Sequence, residues 1–172
     1  YNCYCVSGIG GGCVNTPATT IDSVAIDNTT LANGLTGCST TFYTQYPAIG
    51  NTTGDLIWGF SYNIYVLLQG NAKCEMWIDY NQNGIFEATE GTQVCTTSTA
   101  GVVNVKSFQV PTNVGMGLTG MRIRSRSTAG ALDSTSACLN FGSGETEDYL
   151  VNLTTPLGTK ADVNTSYFYV FP

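Results

Sequence analysis

Residues 120–127 read GMRIRSRS, a stretch in which apolar and basic side chains alternate. Alternation is the period of a β-strand, whose successive side chains point to opposite faces of a sheet. Met121 and Ile123 therefore share one face. The opposite face carries a row of three arginines: Arg122, Arg124 and Arg126. The pattern predicts a half-buried strand with a basic outer row.

Other parts of the chain have a similar strand-like composition, separated by turn residues such as Gln69-Gly70-Asn71 and Asn83-Gly84. Six further strands are predicted: TIDSVAID (20–27), TTFYTQY (40–46), SYNIYVLLQ (61–69), CEMWID (74–79), VVNVKSFQV (102–110) and ETEDYLVNL (145–153). Apolar residues rarely recur at helical spacing. We therefore predict an all-β fold, an antiparallel β-sandwich or jelly-roll-like single domain.

The length of 172 residues suits one domain with one core. We place that domain at residues 1–153, because the composition then changes to a Pro/Gly/Thr-rich stretch. Residues 154–166 are interpreted as a linker, and residues 167–172, YFYVFP, as the start of a further segment. The missing initiator methionine suggests a mature or excised piece of a longer protein.

Charge and hydropathy exclude two classes of partner. Only 10% of the residues are charged, the formal net charge is -6, and six residues are basic, a poor composition for binding nucleic acid. No apolar run approaches the roughly 20 residues that span a bilayer, so membrane insertion is not expected.

Seven cysteines are many for a cytosolic chain of this size, and their spacing does not form the CxxC pairs of a zinc site. Histidine is absent as well. We therefore expect disulfides and an oxidising compartment. The odd count leaves one cysteine over, and the sequence does not determine which cysteines are bonded.

The strongest chemical signal is DYNQNGIFEATE at residues 79–90, which matches the D-x-[DN]-x-[DN]-G-x5-E pattern of a calcium loop. Calcium binds hard oxygen ligands, and such a loop curls them around the ion. The expected ligands are the side chains of Asp79, Asn81, Asn83 and Glu90 and the carbonyl of Ile85. Glu87 would act through water.

The alternative is an Asn/Gly turn in which Asp79 caps the backbone, but such a turn would not require Glu90. CEMWID, before the loop, reads as a strand, so the predicted loop lies on a β scaffold and not between two helices. With few charged ligands, the expected calcium dissociation constant is on the order of 10⁻⁴ to 10⁻³ M.

GSGETEDY at 142–149 places three carboxylates within four positions: Glu145, Glu147 and Asp148. A carboxylate pair could serve a glycoside hydrolase. Without histidine, however, the chain lacks the commonest general base, and nothing else resembles a catalytic constellation. We instead expect these acids to be structural, pairing with the arginine row or completing the calcium shell, so no catalytic residue is predicted.

Aromatic side chains could stack on sugar rings, although large aromatics on strands more often belong to a core. By alternation Trp77 lies opposite Met76 and Ile78, and thus either packs under a loop or is exposed for binding. The ligand-binding candidates are Trp58, Trp77 and Tyr80, with Arg122, Arg124 and Arg126 as contacts for an anionic polymer.

Several segments in this order resemble one family. MWIDYNQNGIFEATE, FQVPTNVGMGLTGMRIRSR and ACLNFGSGETEDYLVNL are similar to the GEVED domain, whose name motif corresponds to GETEDY here. The resemblance covers roughly residues 4–153 and includes four cysteines: Cys5, Cys13, Cys38 and Cys138. Thr146 departs from it, since the name motif has Val at that position.

Cys3, Cys74 and Cys95 are not associated with the family. Because Cys74 and Cys95 bracket the calcium loop, we expect them to be bonded to each other. YFYVFP also resembles the beginning of a C-terminal sorting signal of the type IX secretion system.

The resemblance implies an extracellular or cell-surface accessory module of the kind found in large secreted proteins of Bacteroidota, joined to catalytic or adhesive domains. It carries over no catalytic residue. The expected function is therefore a non-catalytic, calcium-binding module that binds polysaccharide by stacking and hydrogen bonding. A structural spacer or an adhesion domain that binds protein or a surface is the alternative.

Overall fold

The structure, a computed structural model, describes residues 4–6, 8–13 and 18–156 of the 172-residue chain. The end of the predicted linker and the predicted sorting segment lie outside these residues. The described part contains ten strands and three short 3-10 turns at Gly50–Thr52, Ala88–Glu90 and Ser134–Ser136. In that part, no helix has the length and apolar character needed to cross a membrane.

The strands are β1 (Ile21–Ile26), β2 (Ala32–Gly34), β3 (Tyr43–Gln45), β4 (Asp55–Ile57), β5 (Ser61–Leu68), β6 (Ala72–Ile78), β7 (Gly91–Cys95), β8 (Val103–Gln109), β9 (Gly117–Ser127) and β10 (Glu145–Thr154). All seven predicted strands are present. The sequence did not predict β2, β4 and β7. The first two have only three residues each, and β7 follows directly on the loop that was assigned to calcium.

The strands form two sheets that make a β-sandwich. One sheet has the order β2-β1-β5-β8, and the other has the order β3-β10-β9-β6-β7, with β4 also paired to β10. Most neighbouring strands pair antiparallel, as predicted. At one edge, β3 and β4 run parallel to β10 along its first and second halves.

The main core lies between the two sheets. Val24, Ile64 and Val66 come from the smaller sheet, and Met121 and Val151 from the larger one, all of them with 0% exposure. Alternation along each strand directs these side chains inward, as expected for two packed sheets. The fold is therefore the predicted all-β sandwich.

A second apolar cluster covers the opposite, outer face of the larger sheet. Its buried members are Trp77, Phe86, Leu132, Ala137 and Phe141, and Tyr4 packs against them. The cover is made by the N-terminal segment and by the connection between β9 and β10, which pair through a bridge between Ile9 and Phe141. The larger sheet is thus buried on both faces where the arginine row lies.

Candidate functional site

The acidic motif on β10 meets the arginine row on β9. Asp148 lies opposite Arg122 in the antiparallel register. Arg122 Nε donates to Asp148 Oδ1 over 2.7 Å, and its Nη2 donates to Oδ2 over 2.7 Å. This two-point geometry is the strongest form of an arginine–carboxylate contact. The expected pairing is therefore confirmed for Asp148.

Two of the three arginines in the row are buried, contrary to the expectation of an exposed basic face. Arg122 and Arg124 are both 0% exposed. Arg122 donates to the carbonyl oxygens of Cys5 (2.7 Å) and Ala137 (2.9 Å), while Arg124 donates to that of Ser136 (2.5 Å). Both guanidinium groups are therefore unavailable to an external polymer in this structure.

The cover over the row is aromatic as well as polar. The guanidinium carbons of Arg124 and Arg126 lie 4.0 and 4.1 Å from the ring centre of Phe141. Burial, followed by the nearby charge of Arg122, lowers the pKa of Arg124 to about 9. Arg126, at the end of the row, is only partly buried and donates to the carbonyl of Ala131.

Glu145 and Glu147 face the main core, and neither is paired with arginine as we expected. Glu145 accepts from the backbone amides of Ile21 and Ser39, both over 2.9 Å. Burial raises its pKa. Amide donors thus take the place of the expected cation.

Glu147 lies within a group of hydroxyls. It accepts from Tyr149 Oη over 2.8 Å and from Tyr46 Oη over 3.2 Å. Burial raises its pKa to about 7. Glu145 and Glu147 are each 0% exposed, so neither lines an open cleft in which a carboxylate pair could contact a sugar substrate.

Of the aromatic candidates, Trp77 belongs to the outer cluster. It is 0% exposed, and its Nε1 donates to the carbonyl of Ser134 over 2.8 Å. The prediction that Trp77 contacts a ligand is therefore wrong, and its side chain packs under a loop instead. Trp58 and Tyr80 are partly buried and pack against the main core.

The loop at 79–90 connects β6 to β7, and Asp79 organises its first half. Asp79 Oδ1 accepts from the amide of Asn83 (3.2 Å), and Oδ2 accepts from the amide of Gly84 (2.9 Å). Gly84 has φ of 83°, a conformation that favours glycine. Tyr4 Oη also donates to Asp79 Oδ2 (2.8 Å), a contact that no local pattern predicts.

Glu90 closes the loop through the backbone. Its Oε1 accepts from the amide of Tyr80 (2.8 Å), and its Oε2 accepts from that of Glu87 (3.0 Å). The carboxylate therefore holds the beginning of the loop to the turn at Ala88–Glu90. Both carboxylate oxygens at the twelfth position of the loop thus accept from backbone amides.

Three oxygen-bearing side chains cluster on the exposed side of the loop. Asn81 Oδ1 accepts from the amide of Asn83, and Asn83 Oδ1 accepts from that of Ile85. Glu87 accepts from both side-chain amides, over 2.9 Å from Asn81 and 3.4 Å from Asn83. Glu87, which the pattern assigned only to a water-mediated role, is thus a direct neighbour of the two asparagines.

The donor set of the loop fits a hard cation because every candidate is a carboxylate, amide or carbonyl oxygen. The side chains do not converge fully on one point. Among the described residues, the only three His, Cys, Asp or Glu side chains whose ligand atoms lie within 4.8 Å of one another are Cys13, Cys38 and Glu145. Cys13 and Cys38 are already bonded to each other, which leaves Glu145 without a metal partner there.

An open cavity of about 460 Å³ adjoins the loop. It is bounded on one side by the loop and on the other by the connection that leads into β9. The lining residues are Tyr80, Asn81, Glu87, Thr89, Glu90, Pro111, Asn113, Val114 and Gly115. Tyr80 is the ligand-binding candidate that the structure places at this cavity.

Two disulfides fix the N-terminal segment. Cys5 is bonded to Cys138 and Cys13 to Cys38, with Cα–Cα distances of 5.8 Å in both cases. Cys74 and Cys95 face each other across β6 and β7, but both are free thiols in the structure. The expected bond between them is therefore not formed here. Cys3 lies outside the described residues.

Comparison with curated proteins gives no match. The family model of the GEVED domain matches residues 73–152. The matched region contains most of β6 and β10 and everything between them, including the loop at 79–90 and the pair of Arg122 and Asp148. GEVED is a family of accessory domains of non-catalytic type, and residues 73–152 of this chain are similar to it.

Proposed function

We propose that this chain is a non-catalytic, extracellular accessory module of a larger exported protein, and that it binds calcium in the loop at 79–90 and polysaccharide in the cavity beside that loop. The observation that carries the proposal is the side-chain arrangement at this loop. Asn81 and Glu87 both belong to the oxygen cluster and to the cavity wall. One segment would thus serve both ligands.

Calcium would be held by Asp79, Asn81, Asn83 and Glu87, with the carbonyl of Ile85, and Glu90 would keep the loop closed or join the shell. Three of these residues are acids, and the chain has no lysine or arginine between Lys73 and Lys106. Among the described residues, the one ion pair is that of Arg122 with Asp148. A bound divalent cation would supply the positive charge that the loop lacks.

Polysaccharide is the ligand class that suits the chemistry of the cavity. The ring of Tyr80 offers an apolar face, and the side chains of Asn81, Asn113 and Glu87 offer hydrogen-bonding groups around it. A sugar ring has an apolar C–H face and a rim of hydroxyls, so it needs both kinds of contact. Burial also raises the pKa of Tyr80, which keeps its hydroxyl a donor at neutral pH.

The disulfides support the extracellular location that we propose. Two disulfides tie segments that are distant in sequence, Cys5 with Cys138 and Cys13 with Cys38. Such bonds persist in oxidising environments, which include the outside of the cell and the bacterial periplasm. Covalently joined catalytic or adhesive domains would then be delivered to the surface that the module binds.

A structural spacer or adhesion domain is the second candidate, and one observation favours it. Trp77 is buried and Trp58 packs against the core, so of the three candidates only Tyr80 lines the cavity beside the loop. A spacer would retain the disulfides and the loop but would bind no glycan.

The test is a binding screen against neutral and acidic polysaccharides, with millimolar calcium and after chelation. Tyr80→Ala removes the aromatic wall of the cavity. Tyr65→Ala is the matched control, because Tyr65 is a partly exposed tyrosine on β5 of the other sheet. We expect the parent protein to bind at least one polysaccharide in calcium. This binding should be lost with chelator and in Tyr80→Ala, but it should be kept in Tyr65→Ala. If the protein binds none of the polysaccharides, or if the two variants bind equally well, polysaccharide binding at this cavity is contradicted.

A further inference from the structure

The pairing of β6 and β7 contains a bulge that brings two cysteines together. In the antiparallel register Met76 lies opposite Thr92 and Glu75 opposite Gln93, yet Cys74 lies opposite Cys95. Val94 is therefore an additional residue in β7. A bulge of this kind places two residues of one strand against one residue of its partner.

The bulge decides the face on which Cys95 lies. In a regular strand Cys95 would share the face of Gln93 and Glu75, because alternate residues point the same way. Instead, both Val94 and Cys95 pack against the main core, where Cys74 is 0% exposed. Cys95 Sγ approaches the carbonyl oxygen of Ala72 at 3.8 Å, so this side chain is directed toward β6.

Directly opposed residues in an antiparallel pair have Cα atoms about 4.5 to 5.5 Å apart. A disulfide spans Cα separations of about 4.4 to 6.8 Å. The two thiols thus share a face and a register position at a spacing that a disulfide can bridge. We propose that Cys74 and Cys95 are a site of oxidation, at which a third disulfide links β6 to β7.

The bond would form by thiol–disulfide exchange with a small-molecule disulfide as the oxidant. The thiolate of Cys95, the less buried of the two, attacks the oxidant, forms a mixed disulfide and releases one thiol. The thiolate of Cys74 then attacks Cys95 Sγ and releases the second thiol. Two protein S–H bonds are lost, one S–S bond is formed, and the two electrons reduce the oxidant to two thiols.

Burial slows this exchange in the folded chain. It raises the pKa of Cys95 to about 11 and also raises that of Cys74, so few thiolates exist at neutral pH. Mildly alkaline conditions are therefore suited to the test. During folding, before β6 is covered, the same bond would form more readily.

The new bond would close a ring that contains the whole loop at 79–90. The bond would then join the two strands that flank the loop, β6 before it and β7 after it. The proposal does not depend on calcium binding, because it rests on the register of β6 and β7 alone.

The experiment uses the full chain with Cys3→Ser, which removes the seventh cysteine, and exposes it to oxidised glutathione at mildly alkaline pH. Trypsin has no site between Lys73 and Lys106, so it leaves both cysteines on one peptide, Cys74–Lys106. Cleavage after glutamate then separates Cys74-Glu75 from Gly91–Lys106. Without reductant, the two pieces are expected to remain joined and to lack two hydrogens relative to the free thiols.

Cys95→Ser in the same background is the control and is expected to give no joined piece. Joined pieces before any oxidant is added would also support the proposal. Two outcomes would overturn it: free thiols at Cys74 and Cys95 after exposure while the other two disulfides are intact, or a stable glutathione adduct on Cys95 that Cys74 does not displace.

Discussion

Arg122 on β9 and Asp148 on β10 form two hydrogen bonds of 2.7 Å each, in a place where their side chains are 0% and 8% exposed. The remaining donors of Arg122 reach carbonyl oxygens of the N-terminal segment and of the β9–β10 connection. This one side chain therefore joins the sheet to both parts of its outer cover. The acidic motif is in this respect a structural element of the sandwich.

Asp148→Asn is predicted to destabilise the protein by about 3 to 5 kcal/mol, because the charge of Arg122 would remain buried without a counter-charge. Urea unfolding measures the change. The matched control is Asp55→Asn on β4, where an exposed carboxylate binds only the side chain of Asn152. The control is expected to change the free energy of unfolding by no more than about 0.5 kcal/mol. Equal effects in the two variants would contradict a structural role for the pair.

Stability is predicted to fall as the pH rises from about 4.5 to 7, because of Glu147. In the unfolded chain this carboxyl loses its proton near 4.5, whereas burial raises its folded pKa to about 7. Between these values the folded state binds more protons, so the free energy of unfolding decreases with pH, by at most on the order of 3 kcal/mol. Above pH 7 the contribution is constant.

Glu147→Gln is expected to flatten this profile, measured as the unfolding midpoint at several pH values in chelator. Glu75, whose pKa burial also raises to about 7, contributes to the remaining slope, and the double variant with Glu75→Gln should reduce that slope further. The exposed-site variant Asp55→Asn should keep the slope of the parent. If the unfolding midpoint of Glu147→Gln depends on pH as that of the parent does, this carboxyl is not the source of the pH dependence.

Removing the disulfide between Cys5 and Cys138 is predicted to lower the free energy of unfolding by about 3 to 5 kcal/mol, because the bond closes a long loop. The sequence separation is 133 residues, against 25 for Cys13 and Cys38. The double replacement by serine should also weaken the cover over Arg122, detected as faster amide exchange at Ala137. If the free energy of unfolding falls by less than about 1 kcal/mol and amide exchange at Ala137 is unchanged, a covering role for the N-terminal segment is contradicted.

Period-2 patterns predicted the strands well because burial on one face imposes that period on the sequence. They failed for the environment of Arg122 and Arg124, since alternation says which side chains share a face but not what covers that face. The cover comes from residues far away in sequence, such as Cys5 and Ala137. The same cover buries Trp77.

The loop at 79–90 was predictable because its spacing is local, and Asp79, Gly84 and Glu90 hold it together through contacts within twelve residues. The contact from Tyr4 was not predictable, because it joins positions 75 residues apart. The hydroxyl of Thr146, where the sequence departs from the name motif, accepts from Arg124 Nε over 3.1 Å. That departure therefore adds a polar partner for a buried arginine.

The most direct test of calcium binding at the loop is an NMR titration of the protein, stripped of metal by chelation, with calcium. Asp79→Asn and Glu87→Gln are compared with the parent, and Asp133→Asn, which alters an exposed aspartate in another loop, is the control. We expect saturable amide shifts confined to residues 79–90 and their contacts, with a dissociation constant on the order of 10⁻⁴ to 10⁻³ M. Both loop variants should weaken binding, and Asp133→Asn should not. No localised shifts at tens of millimolar calcium, or unchanged binding in both loop variants, would contradict the account.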